Sequence, residues 1–407
     1  MIYDLIIIGG GPAGLFSAIC ADSNSAGNIL IIEKKVSCGL KLLVTGTSQC
    51  NITNSIDINL FSSKYGKNGK FLKNAFKLFD NMKLIEFFNK NKIFFTKTGN
   101  KFFPTSRKAS DILNVMLNLI NKSPNIELVC NSKVIDITKN DFFEIKSENN
   151  FFKSKHLIIA TGGKSYPKTG SEGDGYFFAQ KLGHSIINPE PALCGVILSD
   201  NPFSDLSGIS LNNTTISVYR NNKKIAENNE DVLFTHKGVS GPSILHLTRY
   251  IQKEDILKFN FCNKTFENLN NDFVNTVKFD GKQTVNTYLK CFNLPERLTQ
   301  LILSLCKVQK NLKLSELNKE QRKLICKNLT EFNVSVKFKE GFEKAMVTAG
   351  GVDLKEINPS TMESRIIKSL FFAGEVIDID GDSGGFNLQA CFSTAFLAAK
   401  LSNLKCR

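Results

Sequence analysis

The pattern of apolar positions predicts an α/β domain at the start of the chain. Residues 5–8 form an uninterrupted apolar run, which is typical of a parallel strand covered on both faces. Leu15, Ala18 and Ile19 then follow at helical spacing, and NILIIEKK reads as a second buried strand that ends at Glu33. A strand, a helix and a strand in this order indicate a βαβ unit.

Three glycines separate the first strand from the helix, in the spacing Gly9-x-Gly11-x-x-Gly14. The first permits a tight turn, the second lets the backbone approach a pyrophosphate, and the third lets the helix pack close to the strand. Glu33 stands where a carboxylate binds the ribose of a dinucleotide. The fingerprint predicts a dinucleotide site, but it does not separate FAD from NAD.

Two later segments favour FAD. KHLIIATGG, residues 155–163, is a strand that runs into a turn of small residues, as in flavoproteins of the glutathione-reductase type. Near the C-terminus a second strand, residues 370–373, leads into Gly374 and Glu375, a glycine-rich loop and a helix from about Asn387. A carboxylate suits the ribityl hydroxyls, and a helix N-terminus suits the electron-rich pyrimidine edge of a reduced flavin.

The middle of the chain predicts an insertion into this domain. Short β-rich runs from about residue 191 to 280 indicate a small β-barrel, residues 281–330 show helical spacing, and VSVKFKE then returns to the barrel. The expected fold is therefore a glutathione-reductase-type Rossmann FAD-binding domain, residues 1–190 and 345–407, with an inserted β-barrel, residues 191–280 and 331–344, and a helical insert, residues 281–330. No second glycine fingerprint follows a strand, so NADH or NADPH is expected to visit the flavin only transiently.

Charge is concentrated in one segment. The chain carries a net charge of +14, and residues 61–110 contain eleven lysines and Arg107 against only Asp80 and Glu86, which leaves +10 in fifty residues. Such a patch indicates a polyanionic partner, although a solvated helical face in a lysine-rich composition is the alternative.

Other classes of protein are disfavoured. No apolar run reaches the roughly 18 residues that span a membrane, and we find neither an export signal nor a DNA-binding motif. Eleven cysteines are scattered without metal-ligand spacing, so we expect no metal site and reduced thiols in a cytoplasmic protein.

The motifs in order resemble the YhiN-like family of FAD-dependent oxidoreductases, also called the BaiN/RdsA family. Those that carry the resemblance are GGGPAG, KLLVTGTSQCNITN, FFPTSRKASDIL, ATGGKSYPKTGSEGDGY, FTHKGVSGPSIL, VTAGGVDLKEINPSTMES and FAGEVIDIDGDSGGFNLQACFST. The sequence departs from the family at Leu40, which replaces an arginine, and at Thr47, Ser48 and Gln49, which replace glycines and a second arginine.

The resemblance implies an NAD(P)H-dependent flavin reductase acting on an alkene. One branch of the family is associated with bile-acid ene reduction and another with reduction of uridine to dihydrouridine in large-subunit ribosomal RNA. The basic segment 61–110 and the basic helical insert favour RNA, because RNA binding draws on phosphate neutralisation. Two alternatives stay open, a small-molecule ene reductase or amine oxidase of the same fold, and a flavin-containing RNA-binding factor without catalysis.

The expected site residues fall into two groups. An acid must protonate the carbon next to the one that receives hydride, and Cys50, Tyr166 and His236 are the candidates, with buried packing as the alternative for Cys50. The residues expected to bind the cofactor are Gly9, Gly11, Ala13, Gly14, Glu33, Lys34, Lys41, Asn51, Val134, Thr161, Gly162, Gly374, Glu375, Asn387 and Leu388.

Overall fold

The computed structural model describes residues 1–23 and 27–401. Its strands, in chain order, are β1 Ile2–Ile8, β2 Ile29–Ile32, β3 Thr53–Asn54, β4 Phe95–Thr98, β5 Lys101–Pro104, β6 Ile126–Val129, β7 Val134–Lys139, β8 Phe143–Ser147, β9 Phe151–Ile159, β10 Ile186–Ala192, β11 Val196–Leu198, β12 Ser210–Arg220, β13 Lys223–Thr235, β14 Gly238–Ser240, β15 Ile256–Asn260, β16 Phe332–Lys339, β17 Val347–Val352 and β18 Leu370–Phe372.

The α-helices, in chain order, are α1 Pro12–Ser23, α2 Leu40–Leu43, α3 Ile58–Phe61, α4 Lys73–Leu78, α5 Asn81–Lys90, α6 Ala109–Lys122, α7 Asp174–Lys181, α8 Pro242–Leu247, α9 Phe266–Asp280, α10 Val285–Leu289, α11 Glu296–Leu305, α12 Lys319–Thr330 and α13 Phe386–Leu401. The cysteines of the described part are free thiols, and Cys406 lies outside the described residues, as does the end of the predicted segment 345–407.

The chain folds into two compact units. The first contains residues 1–191 together with the residues from 346 onward, and the second contains residues 192–345. No helix in residues 1–23 and 27–401 is both long and apolar enough to cross a membrane.

The first unit is built on a sheet in the order β6-β2-β1-β9-β8-β7, with β18 also pairing β9. Strands β6, β2, β1, β9 and β18 pair in parallel, while β8 and β7 extend the sheet antiparallel. Every residue of β2 is buried, which explains its unbroken apolar sequence. Strand β1 lies between β2 and β9. The chain continues from β1 to β2 on one side, and the later strand β9 is added on the other side. The carboxyl end of β1 is therefore a topological switch point, where open α/β sheets bind ligands.

Two apolar helices pack together beside this sheet. The rings of Phe16, on α1, and Phe392, on α13, meet edge to face with centroids 5.1 Å apart. The hydroxyl of Ser17 donates to the carbonyl of Ala395 at 3.4 Å within the same buried contact. Each helix is apolar around most of its circumference because each is covered on several sides.

The second unit contains a closed antiparallel barrel in the order β11-β14-β13-β12-β15-β16. Strand β16 closes it by pairing both β11 and β15. Helices α9 to α12 share the hydrophobic core of the barrel, where Phe273 and Tyr288 lie with centroids 4.5 Å apart. The Rossmann-type domain with an inserted barrel and helices is the predicted fold class, which is thereby confirmed.

The helical part begins earlier than the predicted boundary at residue 281. Helix α9 starts at Phe266, and the Thr265 hydroxyl caps it by accepting the amide of Asn268. Its sequence, FENLNNDFVNTVKFD, does place Phe266, Leu269, Phe273 and Val277 at helical spacing, and these residues pack on the core of the second unit. Four asparagines, which have low helix propensity, lie among them, and the segment was assigned to the β-rich part of the chain.

An ion pair secures the barrel where β12 meets the start of β15. The guanidinium of Arg220 donates to both carboxylate oxygens of Asp255, each at 2.8 Å, and the Asp255 side chain is only 1% exposed. The amide of Gln252 donates to the same carboxylate at 2.7 Å. The carboxylate is thus buried and depends on its partners for stabilisation.

Replacing Arg220 with Met is expected to lower the free energy of unfolding by about 2–3 kcal/mol, because a buried carboxylate loses its cation. Urea unfolding of the full chain, followed by circular dichroism, measures the change. Lys224→Met is the matched control, since Lys224 and Glu227 form a largely exposed pair and should contribute less than about 0.5 kcal/mol. Equal losses in the two variants would contradict the assignment.

Candidate functional site

A large cavity lies at the switch point of the sheet in the first unit. It holds about 1100 Å³ and is walled by the glycine turn, the segment after β2, the ATGG turn, the segment after β18 and the start of α13. The lining includes many predicted cofactor residues, namely Gly9, Gly11, Ala13, Glu33, Lys41, Thr161, Gly162, Gly374, Glu375, Asn387 and Leu388. A cleft of this size and composition suits a large, partly apolar ligand.

The three fingerprint glycines have different surroundings. A Cβ at Gly14 would lie 1.8 Å from the carbonyl oxygen of Gly9, and a Cβ at Gly9 would lie 2.5 Å from that of Ala160. A Cβ at Gly11, by contrast, would meet no protein atom within 4 Å. Two of the glycines are therefore needed by the fold itself, whereas Gly11 borders open space in the cavity. That space fits the pyrophosphate of a dinucleotide, which needs close access to the backbone.

Glu33 supports the same turn from the end of β2. Its carboxylate accepts the amide of Gly10 at 2.7 Å and the amide of Lys35 at 2.8 Å. Carboxylate oxygens have further lone pairs, so Glu33 can still accept a ribose hydroxyl from the cavity. Glu33 therefore also stabilises the glycine turn, a role that its position in the sequence did not predict.

A smaller cleft of about 340 Å³ adjoins the glycine turn and brings together Glu33, Lys34, Val134 and Thr161. The buried hydroxyls of Ser132 and Thr161 have no hydrogen-bond partner within residues 1–23 and 27–401. Unpaired buried hydroxyls are costly, and a polar ligand in the cleft would satisfy them. The cleft therefore fits the adenosine end of a dinucleotide.

Lys34 forms one side of this cleft. Its ammonium donates to Asp174 at 2.6 Å and to Glu172 at 2.8 Å. Burial acts to lower the pKa of Lys34, but the two carboxylates outweigh it and raise that pKa above its ordinary value. The side chain is a fixed cation that ties the segment after β2 to the start of α7.

A charged network forms part of the wall of the large cavity. Lys41 donates to the Glu375 carboxylate at 2.6 Å and also to the Ser165 hydroxyl. Glu375 accepts the Ser165 hydroxyl at 2.9 Å and the Thr348 amide at 2.8 Å, and the Thr348 hydroxyl accepts the amide of Lys164. The network fixes one cation and one anion at the cavity wall, where they can orient the polar groups of a ligand ring.

The start of α13 completes the wall. Asn387 accepts the amide of Gly381 at 2.7 Å and donates to its carbonyl at 2.9 Å, which holds the glycine-rich loop against the helix. The backbone amides of the first helical turn are available to an electron-rich group. Asn51, in the segment before β3, has a buried carboxamide oxygen with no partner in the described part of the chain.

The three candidate acids belong to different segments and differ in burial. Cys50 is fully buried and does not line the large cavity, and burial raises the pKa of its thiol to about 12. Tyr166 is half-buried in the ATGG segment and is not a lining residue. His236 is exposed in a turn of the second unit.

Sequence reasoning missed several lining or supporting residues. Ser165 and Thr348 belong to the network around Glu375, and Cys391 lines the cavity one turn into α13. The signal was present for the first two, since they stand in the motifs GKSYP and VTAGG, but nothing local showed that these motifs converge. Cys391 was not predicted, because it stands among apolar residues of a helix and resembles a core residue.

Comparisons with known proteins identify the family. The family model described as HI0933-like protein Rossmann domain matches residues 3–401. The chain is 28% identical to the 3-dehydro-bile acid delta(4,6)-reductase of Clostridium scindens, over 97% of each chain. It is 29% identical to the ribosomal RNA dihydrouridine synthases of Escherichia coli, over 98% of this chain and 97% of the relative, and of Haemophilus influenzae, over 97% of each.

A solved flavocytochrome c3 fumarate reductase superposes with a TM-score of 0.50 at 15% identity, over 98% of this chain and 77% of that one. At this identity the likeness concerns the fold alone.

Gly11→Ala is expected to impair FAD binding, whereas Gly14→Ala is expected to impair the stability of the fold. Gly11→Ala should leave the melting temperature of the FAD-stripped protein unchanged but weaken FAD binding at least tenfold, because its methyl group occupies the pyrophosphate space. Gly14→Ala should destabilise the stripped protein by at least about 1–3 kcal/mol, because its Cβ collides with backbone. Thermal unfolding and FAD titration measure the two effects, and unchanged FAD affinity in Gly11→Ala would refute the assignment.

Cys50→Ala tests the acid role of the buried thiol. Since Cys50 does not line the cavity, the variant should retain FAD and keep its turnover within about twofold, which is the packing alternative. FAD absorbance and steady-state turnover are the measurements, with Cys391→Ala as a control that alters a thiol at the cavity wall. Retained FAD with lost turnover in Cys50→Ala alone would establish Cys50 as the acid.

Proposed function

Because the chain belongs to the family of HI0933-like proteins with a Rossmann domain and is an FAD-binding oxidoreductase, we propose that it reduces the C5=C6 bond of uridine in large-subunit ribosomal RNA. The product is dihydrouridine, and NADH or NADPH is the transient reductant. An rRNA substrate also fits a cytoplasmic protein with reduced thiols.

The observation that carries the proposal is the basic surface of the first unit. Of the eleven lysines in residues 61–110, all but Lys64 are exposed. The ion pairs that the described residues form with them are Lys64 with Asp382, at 3.9 Å, and Lys90 with Glu86, at 2.8 Å. Lys83 donates to the carbonyl of Leu78 at 2.9 Å, and the remaining lysines are available to phosphates, on the same unit that contains the cavity. Phosphate neutralisation supplies much of the affinity for RNA, whereas a steroid needs no such surface.

The reaction requires a hydride on C6 and a proton on C5 of the uracil ring. Bound FAD, reduced by the nicotinamide, supplies the hydride. The protein must hold the uracil against the cavity wall, exclude water and provide the proton. Tyr166 and His236 remain candidates for the acid, and Lys41 joins them because its ammonium lines the cavity and is held by Ser165 and Glu375.

A second candidate function has its own support. The bile acid reductase relative matches the chain over the same span and at almost the same identity as the rRNA enzymes. The apolar part of the cavity wall, which includes Leu40, Leu42 and Ile377, also suits a small hydrophobic substrate. A small-molecule ene reductase, or an amine oxidase of the same fold, is therefore the alternative.

Deleting the gene is expected to remove dihydrouridine from large-subunit rRNA, measured by mass spectrometry of rRNA nucleosides. The wild-type gene and Lys224→Ala, an exposed change in the second unit, should restore the modification, whereas Gly11→Ala should not because FAD binding is weakened. An unchanged dihydrouridine level in the deletion strain would overturn the proposal.

Substrate choice is tested on the purified protein. NAD(P)H should bleach the flavin, and rRNA from the deletion strain should restore its colour. Restoration by an unsaturated steroid ketone but not by that rRNA would favour the alternative.

A further inference from the structure

A small sheet beside the cavity has one covered face and one open face. Strands β3, β5 and β4 form an antiparallel sheet in that order. Phe95, Phe102 and Pro104 alternate with their neighbours and point to one face, where Phe95 and Phe102 pack against the core of the first unit. That face is the inner one, so the intervening residues point outward.

The outer face carries aromatic and hydroxyl side chains. Thr96 pairs with Phe103 and Thr98 pairs with Lys101. The amide of Thr105 donates to the carbonyl of Phe94 at 2.8 Å and extends the ladder by one pair, which places Phe94 on the same face. Phe94 and Phe103 are diagonal neighbours, roughly 7–8 Å apart between Cα atoms.

The side chain of Phe94 lies largely in water, because it is 63% exposed. A ring left in water forgoes about 1.5–3 kcal/mol of burial energy. Phe94 and Phe103 together place two aromatic rings on a face whose other side chains are polar, an arrangement found at contact surfaces.

Arg107 adds a planar cation to this face. Its guanidinium carbon lies 4.4 Å from the centroid of the Phe103 ring. The guanidinium donates to the Thr98 hydroxyl at 2.6 Å and to the Gln49 carboxamide at 3.3 Å. The Arg107 backbone has φ +56°, a conformation that costs energy for a residue other than glycine. The side chain is therefore held in place on the outer face.

The sheet is joined to the segment around the start of α13 through short contacts. Thr53, on β3, donates its hydroxyl to the Gln389 carboxamide at 2.6 Å, and Leu388 beside Gln389 lines the cavity. Asn54 donates to the carbonyl of Gly384 at 3.0 Å. The sheet is thereby attached to the glycine-rich loop and to the first turn of α13, which borders the cavity.

The charged residues of the stretch 87–110 are all positive, and Lys90 among them pairs with Glu86 just before it. Residues 87–110 contain no aspartate or glutamate, and their lysines are all exposed. The cationic residues of the stretch are Lys90, Lys92, Lys97, Lys101, Arg107 and Lys108. Aromatic rings surrounded by cations match a strand of bases joined by phosphates, since bases stack on aromatic and guanidinium planes while lysines neutralise phosphates.

We propose that the outer face of this sheet binds single-stranded RNA, with bases stacked on Phe94 and on the Arg107–Phe103 pair and phosphates held by the neighbouring lysines. The proposal deepens the proposed function, because it names the form of the RNA that the site receives. An A-form duplex keeps its bases stacked on each other and offers none to the two rings. The partner is therefore an unpaired or opened segment of RNA.

Phe94→Trp tests the proposal directly, because the chain contains no tryptophan and the variant carries a single one. A single-stranded uridine dodecamer should quench the indole fluorescence, since a base stacks on it. Phe151→Trp is the matched control in the same unit, with 56% exposure in the parent against 63% for Phe94, and it should show no comparable quenching. Binding of the dodecamer without quenching of Phe94→Trp would overturn the proposal, as would equal quenching in both variants.

Salt dependence separates stacking from charge. Phe94→Ala should weaken dodecamer binding roughly five- to 150-fold without changing the slope of log affinity against log salt. Lys101→Ala should instead reduce that slope by about 0.7, the value for one phosphate contact on a single strand. A duplex RNA of the same length should be insensitive to Phe94→Ala. Equal effects of Phe94→Ala and Phe151→Ala would contradict the stacking role.

The outcomes distinguish this proposal from the proposed function. Suppose that RNA specifically quenches Phe94→Trp but dihydrouridine is unchanged in the deletion strain. The RNA-binding proposal would then stand, and the proposed reduction of uridine would be overturned. If dihydrouridine is lost in the deletion strain but RNA does not quench Phe94→Trp, the proposed reduction of uridine would stand and the RNA-binding proposal would be overturned. FAD content and melting temperature confirm that each variant is folded before it is compared.

Discussion

The first unit depends on the contact between Gly14 and the carbonyl of Gly9. Because no side chain separates them, the first turn of α1 sits directly on the end of β1. Two further segments attach to the same turn, since Glu33 accepts the amide of Gly10 and the amide of Gly39 donates to its carbonyl at 2.9 Å. The end of β1, the start of α1 and the segment after β2 are thereby fixed together, and the open space beside Gly11 is what remains between them. The dinucleotide site is a consequence of this packing.

The local parts of this arrangement could be predicted from the sequence. Strand β1, the glycine spacing, helix α1 and Glu33 follow within a few dozen residues, and each is identified by an apolar run or a spacing. The pairing of Lys41 with Glu375 could not be predicted, although both were expected near the cofactor, because these residues are separated by 334 positions. Local patterns report burial, but the choice of a distant hydrogen-bond partner depends on how the segments come together. Helix α9 was missed for a different reason, since its apolar residues do repeat at helical spacing but lie among four asparagines, which have low helix propensity.

The distribution of charge follows from what the site requires. Acidic side chains are used inside the first unit, where Glu33 holds the glycine turn and Glu375 holds Lys41. Asp378 is partly buried as well, and burial raises the pKa of its carboxyl even though Asn68 donates to it. Lysines, by contrast, cover the surface of residues 61–110. Among the described residues, Asp382 pairs with Lys64 and Asp378 lies in the field of Lys67, but most lysines of this segment have no such partner. The unit therefore presents a largely positive exterior beside a cavity stabilised by internal carboxylates.

The short strand β3 fixes the position of the β3-β5-β4 sheet relative to the cavity. It has only two residues, yet a Cβ at Gly385 would lie 2.5 Å from the backbone of Thr53, so the strand and the glycine-rich loop touch without intervening side chains. Backbone contacts of this kind leave little room for sliding, because interiors are close-packed. The outer face of the sheet therefore keeps a fixed position relative to the start of α13, where the cavity wall begins. A strand of RNA stacked on Phe94 and Phe103 would then be held at a defined distance from the cavity. The rest of its affinity could come from phosphates, and these need no fixed geometry.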